Sequence, residues 1–170
     1  MAEEERFKYI PFIIAILIVG INIALMTGVY FRILHLHILY EEFYYHHWFS
    51  WIGTLYIAIA IPTYYILKRR FPNNFKMFLN IHVFGNLLAV MLVSIHFTQQ
   101  ISRPPQAYPS LGTGIVLYAA MIALVCTGFL LRFVKTKKFW GKSIRFIHTA
   151  VTLTFYLIIV VHILHGLEII

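Results

Sequence analysis

The sequence predicts an all-α fold: an integral membrane bundle of five transmembrane helices that forms a single domain over residues 1–170. Three observations predict it. Apolar residues make up 61% of the chain, where a soluble domain carries ~45–50%. Charged residues make up 12%, against ~25% ordinarily, which is too little polar surface to cover a water-facing globule. Finally, the apolar residues fall into five uncharged runs of about 20 residues, each long enough at ~1.5 Å per residue to cross ~30 Å of hydrocarbon.

The first run is Ile10 to Phe31. Its leader carries Glu3, Glu4 and Glu5, the run is long, and no small-residue cleavage site follows, so it is expected as a permanent helix and not a cleaved signal peptide. The second run is Trp48 to Leu67, the third Met77 to Phe97, the fourth Leu111 to Leu131 and the fifth Phe146 to Leu167. Short connectors with turn and charge signals separate them: Lys68 to Asn74, Ser102 to Pro105, and Lys135 to Lys138. The connector before span two mixes His35, His37, Glu41, Glu42, His46 and His47 with Tyr40, Phe43, Tyr44, Tyr45, Trp48, Phe49 and Trp51, an aromatic belt of the kind found at headgroup level. The single cysteine, Cys126, excludes an intrachain disulfide and a CxxCH haem-attachment motif, and is expected as a small buried apolar residue of span four.

Net charge is +8, and its placement gives an orientation. Lys68, Arg69, Arg70 and Lys76 flank the second connector; Arg132, Lys135, Lys137, Lys138, Lys142 and Arg145 flank the fourth, so ten of the fourteen cations lie on one side. The positive-inside rule puts that side and the N-terminus in the cytoplasm and the C-terminus outside, in an inner or plasma membrane. This basic charge reads as topology and attraction to anionic lipid, and nucleic-acid binding is not expected.

Ionisable side chains within a span are rare, because they are costly in hydrocarbon, and they mark function. Span three carries His82 and His96; span five carries His148 and His162, and both pairs are 14 residues apart. Fourteen steps of ~100° return to within ~40° of the start, so each pair lies on one helix face, ~21 Å apart along the axis. Spans three and five run in the same direction, which sets His82 level with His148 and His96 level with His162. Zinc asks for three or four protein ligands, which one pair does not supply. Haem iron has four macrocycle nitrogens and asks the protein for one or two axial ligands, so two six-coordinate b-type haems, one near each membrane surface, satisfy the count. The plain alternative is four packed histidines bonded to neighbouring carbonyls.

Gly85 lies about one turn after His82, where a missing side chain suits either a flat macrocycle or close helix packing. Arg145, three residues before His148, suits either a haem propionate or a positive-inside anchor, and Asn80 and Lys76 offer the same from span three. His165 is rotated ~100° from His148 and is a poor substitute ligand.

These residues resemble a family. His82-x13-His96 and His148-x13-His162, with His82-Val-Phe-Gly85 and Arg145-Phe-Ile-His148, look like the di-haem four-helix core of the membrane cytochrome b proteins. The five short-looped spans are similar to the cytochrome b subunits of formate dehydrogenases and hydrogenases. The stretch from Arg145 to Gly166 also resembles the ferric reductase transmembrane domain. The resemblance covers residues 76–167 and implies a di-haem core with His82 and His148 on the cytoplasmic haem, His96 and His162 on the outer one, and Gly85 and Arg145 beside them.

The expected function is a respiratory b-type cytochrome that moves electrons across the membrane between a quinone and partner subunits of a redox complex. A first alternative is a ferric-reductase-like conduit to an outer acceptor, with His35, His37, His46, His47 and His165 as a metal site or as proton carriers beside Glu41 and Glu42. A second is a haem-free membrane anchor or a proton or metal transporter.

Overall fold

A computed structural model describes residues 2–34, 39–40, 43–103, 106, 112–134 and 138–166. Its elements in chain order are α1 (Ala2–Tyr30), β1 (Leu39–Tyr40), β2 (Phe43–Tyr44), α2 (Tyr45–Arg70), a 3-10 turn (Pro72–Asn74), α3 (Phe75–Ile101), α4 (Gly112–Phe133) and α5 (Lys138–Gly166). The five α-helices each contain a stretch long and apolar enough to span a bilayer. Between their ends, helices satisfy the backbone N–H and C=O groups internally, which hydrocarbon demands. The two strands are a two-residue antiparallel ladder, Leu39 against Tyr44 and Tyr40 against Phe43.

The helices run past the expected spans. The third span continues from Pro72 to Ile101 and the fifth starts at Phe139, because Lys76, Gln99 and Gln100 on α3 and Lys142 and Arg145 on α5 are good helix formers although they lie outside the uncharged runs. The chain divides into two compact units, residues 1–102 and 103–170.

In the first unit, α3 packs against both α1 and α2. The short turn at Phe71–Asn74 makes α2 and α3 antiparallel neighbours, with Phe71 N–H donating to Leu67 O at 2.9 Å and Asn74 N–H to Phe71 O at 3.1 Å. Gly53 lets the two backbones approach: a Cβ there would lie 2.7 Å from Ala89 O. On another face of α3, Asn22 of α1 donates to Ser94 Oγ at 3.2 Å, and Ser94 donates to Val90 O at 2.7 Å. Ser94 is fully buried, so the contact ties α1 to α3 away from water.

α1 ends in a turn that satisfies its last carbonyls. Ile33 N–H donates to Gly28 O at 2.8 Å, Arg32 N–H to Val29 O at 3.1 Å, and Arg32 itself is left-handed, at φ 59°. α2 ends on Lys68, Arg69 and Arg70, cations that suit a helix C-terminus. Lys68 Nζ stands 4.9 Å from the Tyr64 ring centre and the Arg69 guanidinium 4.1 Å from that of Tyr65, the arrangement expected of cations and aromatics sharing headgroup depth.

The second unit is an antiparallel hairpin of α4 and α5. Leu117 and Met121 of α4 and Phe155 and Ile159 of α5 are its buried apolar residues. Leu153, Leu157 and Val160 on α5 are exposed, as lipid-facing side chains are. Cys126, expected to be buried, is exposed on α4; a small polarizable thiol is tolerated against lipid as readily as in a core.

Candidate functional site

The hairpin gives two histidines of α5, His148 and His162, a matched setting on α4. Thr127 Oγ1 lies 2.8 Å from His148 Nδ1, and Thr113 Oγ1 lies 3.0 Å from His162 Nδ1. The next residue in each case is glycine. A Cβ on Gly128 would stand 3.4 Å from His148 Cε1, and one on Gly114 would stand 3.4 Å from His162 Cε1. Thr113-Gly114 and Thr127-Gly128 are 14 residues apart, the same interval that separates the two histidines. Because α4 and α5 are antiparallel and equal in rise, one Thr-Gly step meets each imidazole, and the same three-residue setting occurs twice on the hairpin.

A hydroxyl against Nδ1 has a definite chemical effect. It engages one ring nitrogen and leaves Nε2 as the nitrogen open to a metal, the arrangement by which metal-binding histidines are oriented. Each glycine removes a side chain from beside the ring. Phe155, seven residues from each histidine, shares their face of α5 and is 1% exposed, so an apolar ring fills the space between the two settings.

On α3, His82 is set differently. Its ring stacks on Tyr64 of α2, with centroids 4.4 Å apart and planes inclined by 20°. The Asn86 side-chain amide lies 3.1 Å from His82 Nδ1, one turn along the same helix. Gly85 faces α2, and a Cβ there would run into the Tyr56 hydroxyl, which also donates to Ile81 O at 3.1 Å. In this structure the space left by Gly85 is therefore filled by Tyr56, the helix-packing role of a small residue. His96 lies on the same helix, half-buried. Beside His82, Tyr56, Ile59, Thr63, Tyr64 and Phe78 line a groove of about 480 Å³.

Arg145 is exposed, one turn before His148 at the basic end of α5, and Lys76 is exposed near the start of α3. His165 is exposed near the end of α5. His35, His37, Glu41 and Glu42 lie outside the described residues, as do the side chains of His46 and His47, whose backbone opens α2. Among the described residues, no three His, Cys, Asp or Glu side chains cluster as a metal site.

The donor set on α5 fits axial ligation of a macrocyclic metal better than a protein-only metal site. Each setting offers one imidazole with its second nitrogen engaged and open backbone beside the ring. The threonines and glycines of α4 are functional candidates that a search for ionisable residues overlooks; the signal was the Thr-Gly dipeptide recurring at the histidine interval. Comparison with protein-family models, with curated proteins and with solved structures finds no match to this chain.

Proposed function

We propose that the chain is a di-haem b-type cytochrome that carries electrons between the two faces of a membrane. The observation that supports this reading most is the doubled setting on the α4–α5 hairpin, in which Thr127 and Gly128 attend His148 while Thr113 and Gly114 attend His162. His148 and His162 would each give one axial nitrogen, and His82 and His96, at the same interval on α3, would give the others. Bound haem supplies one-electron redox chemistry at a potential set by its axial ligands and surroundings.

The chain's own residues do the rest. The imidazoles bind, and the threonine hydroxyls hold the rings at Nδ1. Gly114 and Gly128 keep backbone beside them bare. Phe155 and Met121, 1% and 2% exposed, keep the interval between the settings dry. Fourteen residues of helix separate the two histidines by ~21 Å, so that one would lie toward each membrane surface. Arg145, exposed one turn from His148, is positioned for a carboxylate at the basic face. The positive-inside rule makes that face cytoplasmic and the C-terminal side outer. Electrons would pass between a quinone and partner subunits of a larger complex, in keeping with connectors too short for a flavin or iron–sulfur domain within residues 1–170.

The test is the dithionite-reduced minus oxidised spectrum of the purified chain, with haem quantified per chain. About two b-type haems are expected, and His148→Ala and His162→Ala are each expected to lose one. A chain that takes up no haem, or variants that keep both, would overturn the proposal.

A further inference from the structure

The two nitrogens of a neutral imidazole are inequivalent, since only one carries the proton. What binds Nδ1 therefore decides what Nε2 can do. Thr127 makes three close contacts: Oγ1 lies 2.7 Å from Ala123 O, 3.2 Å from Leu124 O and 2.8 Å from His148 Nδ1. A threonine hydroxyl has a single proton, and both carbonyls can only accept. The nearest, Ala123 O one helical turn back, takes that proton. With the proton there, Oγ1 faces His148 with lone pairs alone, and Nδ1 is the donor in that arrangement.

We infer that Thr127 fixes His148 as the Nδ1–H tautomer, so that Nε2 carries the lone pair, and that it thereby sets the potential of the metal centre this histidine serves. The second half of the inference rests on the haem reading above. An acceptor on Nδ1–H draws the imidazole toward imidazolate and makes Nε2 a stronger donor, which stabilises the oxidised iron and lowers its potential. Thr127 is a positioning residue: it acts on the iron only through His148.

The contrast with His82 sharpens the assignment. Asn86 meets His82 Nδ1 with an amide, at 3.1 Å. An amide donates through Nδ2 or, after a half-turn, accepts through Oδ1, so it accommodates either tautomer and selects neither. Thr127, with its proton committed to Ala123, selects one.

The test uses the full chain in detergent with ring-labelled histidine. Nitrogen-15 spectra of the haem-free chain distinguish the two tautomers, and His148→Ala identifies the signal. The native chain is expected to show His148 protonated at Nδ1, Thr127→Val to show mixed tautomers, and Thr127→Ser to restore the native signal. A native His148 protonated at Nε2 overturns the inference whether or not the chain binds haem. In the haem-loaded chain, Thr127→Val is expected to keep both haems, to raise the midpoint potential of one and to leave the other unmoved, with Thr127→Ser returning it. Both haems kept at native potentials would overturn the claim on potential. A native chain without haem would overturn the cytochrome reading instead, while the nitrogen spectra would still decide the tautomer.

Discussion

Gly128 and His148 meet edge to backbone across the α4–α5 hairpin: a Cβ on the glycine would sit 3.4 Å from His148 Cε1, at ordinary van der Waals distance. The relationship admits one methyl group and nothing larger, and Gly114 with His162 repeats it. Gly128→Ala and Gly114→Ala are therefore expected to leave haem content unchanged, whereas Gly128→Leu displaces the His148 ring and Gly114→Leu that of His162. Haem per chain measures the difference, and each leucine variant is expected to lose about one of the two.

Gly85 behaves in the opposite way, because its missing side chain is already replaced by Tyr56. Gly85→Ala must push the Tyr56 hydroxyl off Ile81 O, and overpacking of this kind costs typically ~1–3 kcal/mol. Tyr56→Leu vacates the space. In a double-mutant cycle followed by unfolding in mixed detergent, Gly85→Ala is expected to be destabilising alone and close to neutral in the Tyr56→Leu background. Equal cost in both backgrounds would contradict the contact.

Arg32 holds the left-handed position at the end of α1 where helices ordinarily place glycine. A side chain at φ 59° carries a steric cost that glycine lacks. Arg32→Gly is expected to stabilise the chain by about 1 kcal/mol, read as a shift of the unfolding midpoint, with no change in spectrum.

Orientation is tested by labelling. With Cys126 replaced by serine, a cysteine at Asn73, in the turn between α2 and α3, is expected to react with an impermeant maleimide only from the cytoplasmic side. One at Ser102, just past the end of α3, is expected to react only from outside. Labelling in the reverse sense would invert the assignment drawn from Lys68, Arg69 and Arg70.

The five helices were legible because a run such as Leu111 to Leu131 has no other stable form in lipid. Their ends were less so. Lys138, Lys142 and Arg145 interrupt an apolar run without interrupting a helix, since cations are good helix formers and belong at the interface. The histidine interval was readable because ionisable groups within a span stand out. Thr113 and Thr127 do not stand out, since a threonine in a membrane helix ordinarily bonds its own backbone, as Thr152 does to His148 O at 2.7 Å. Only the pairing of α4 with α5 separates those two from the rest. Gly85 invited two readings, and the residue that decides its packing, Tyr56, lies 29 positions away on another helix.

The doubled interval also limits how this hairpin can change length. One residue inserted in α4 between Thr113 and Thr127 would swing one threonine about 100° away from its histidine. The same insertion in α5 alone would swing the histidine instead. A compensating insertion in the other helix restores level but not facing, because each helix still turns by that angle. Only whole turns added to both helices at once keep both settings intact, so tolerated lengths come in coarse steps. Deletion scanning should accordingly find the stretches 114–126 and 149–161 intolerant of single-residue changes, while the connector between α4 and α5 accepts them. The thickness of bilayer that the hairpin fits and the distance between its two histidines are thus one dimension, fixed together.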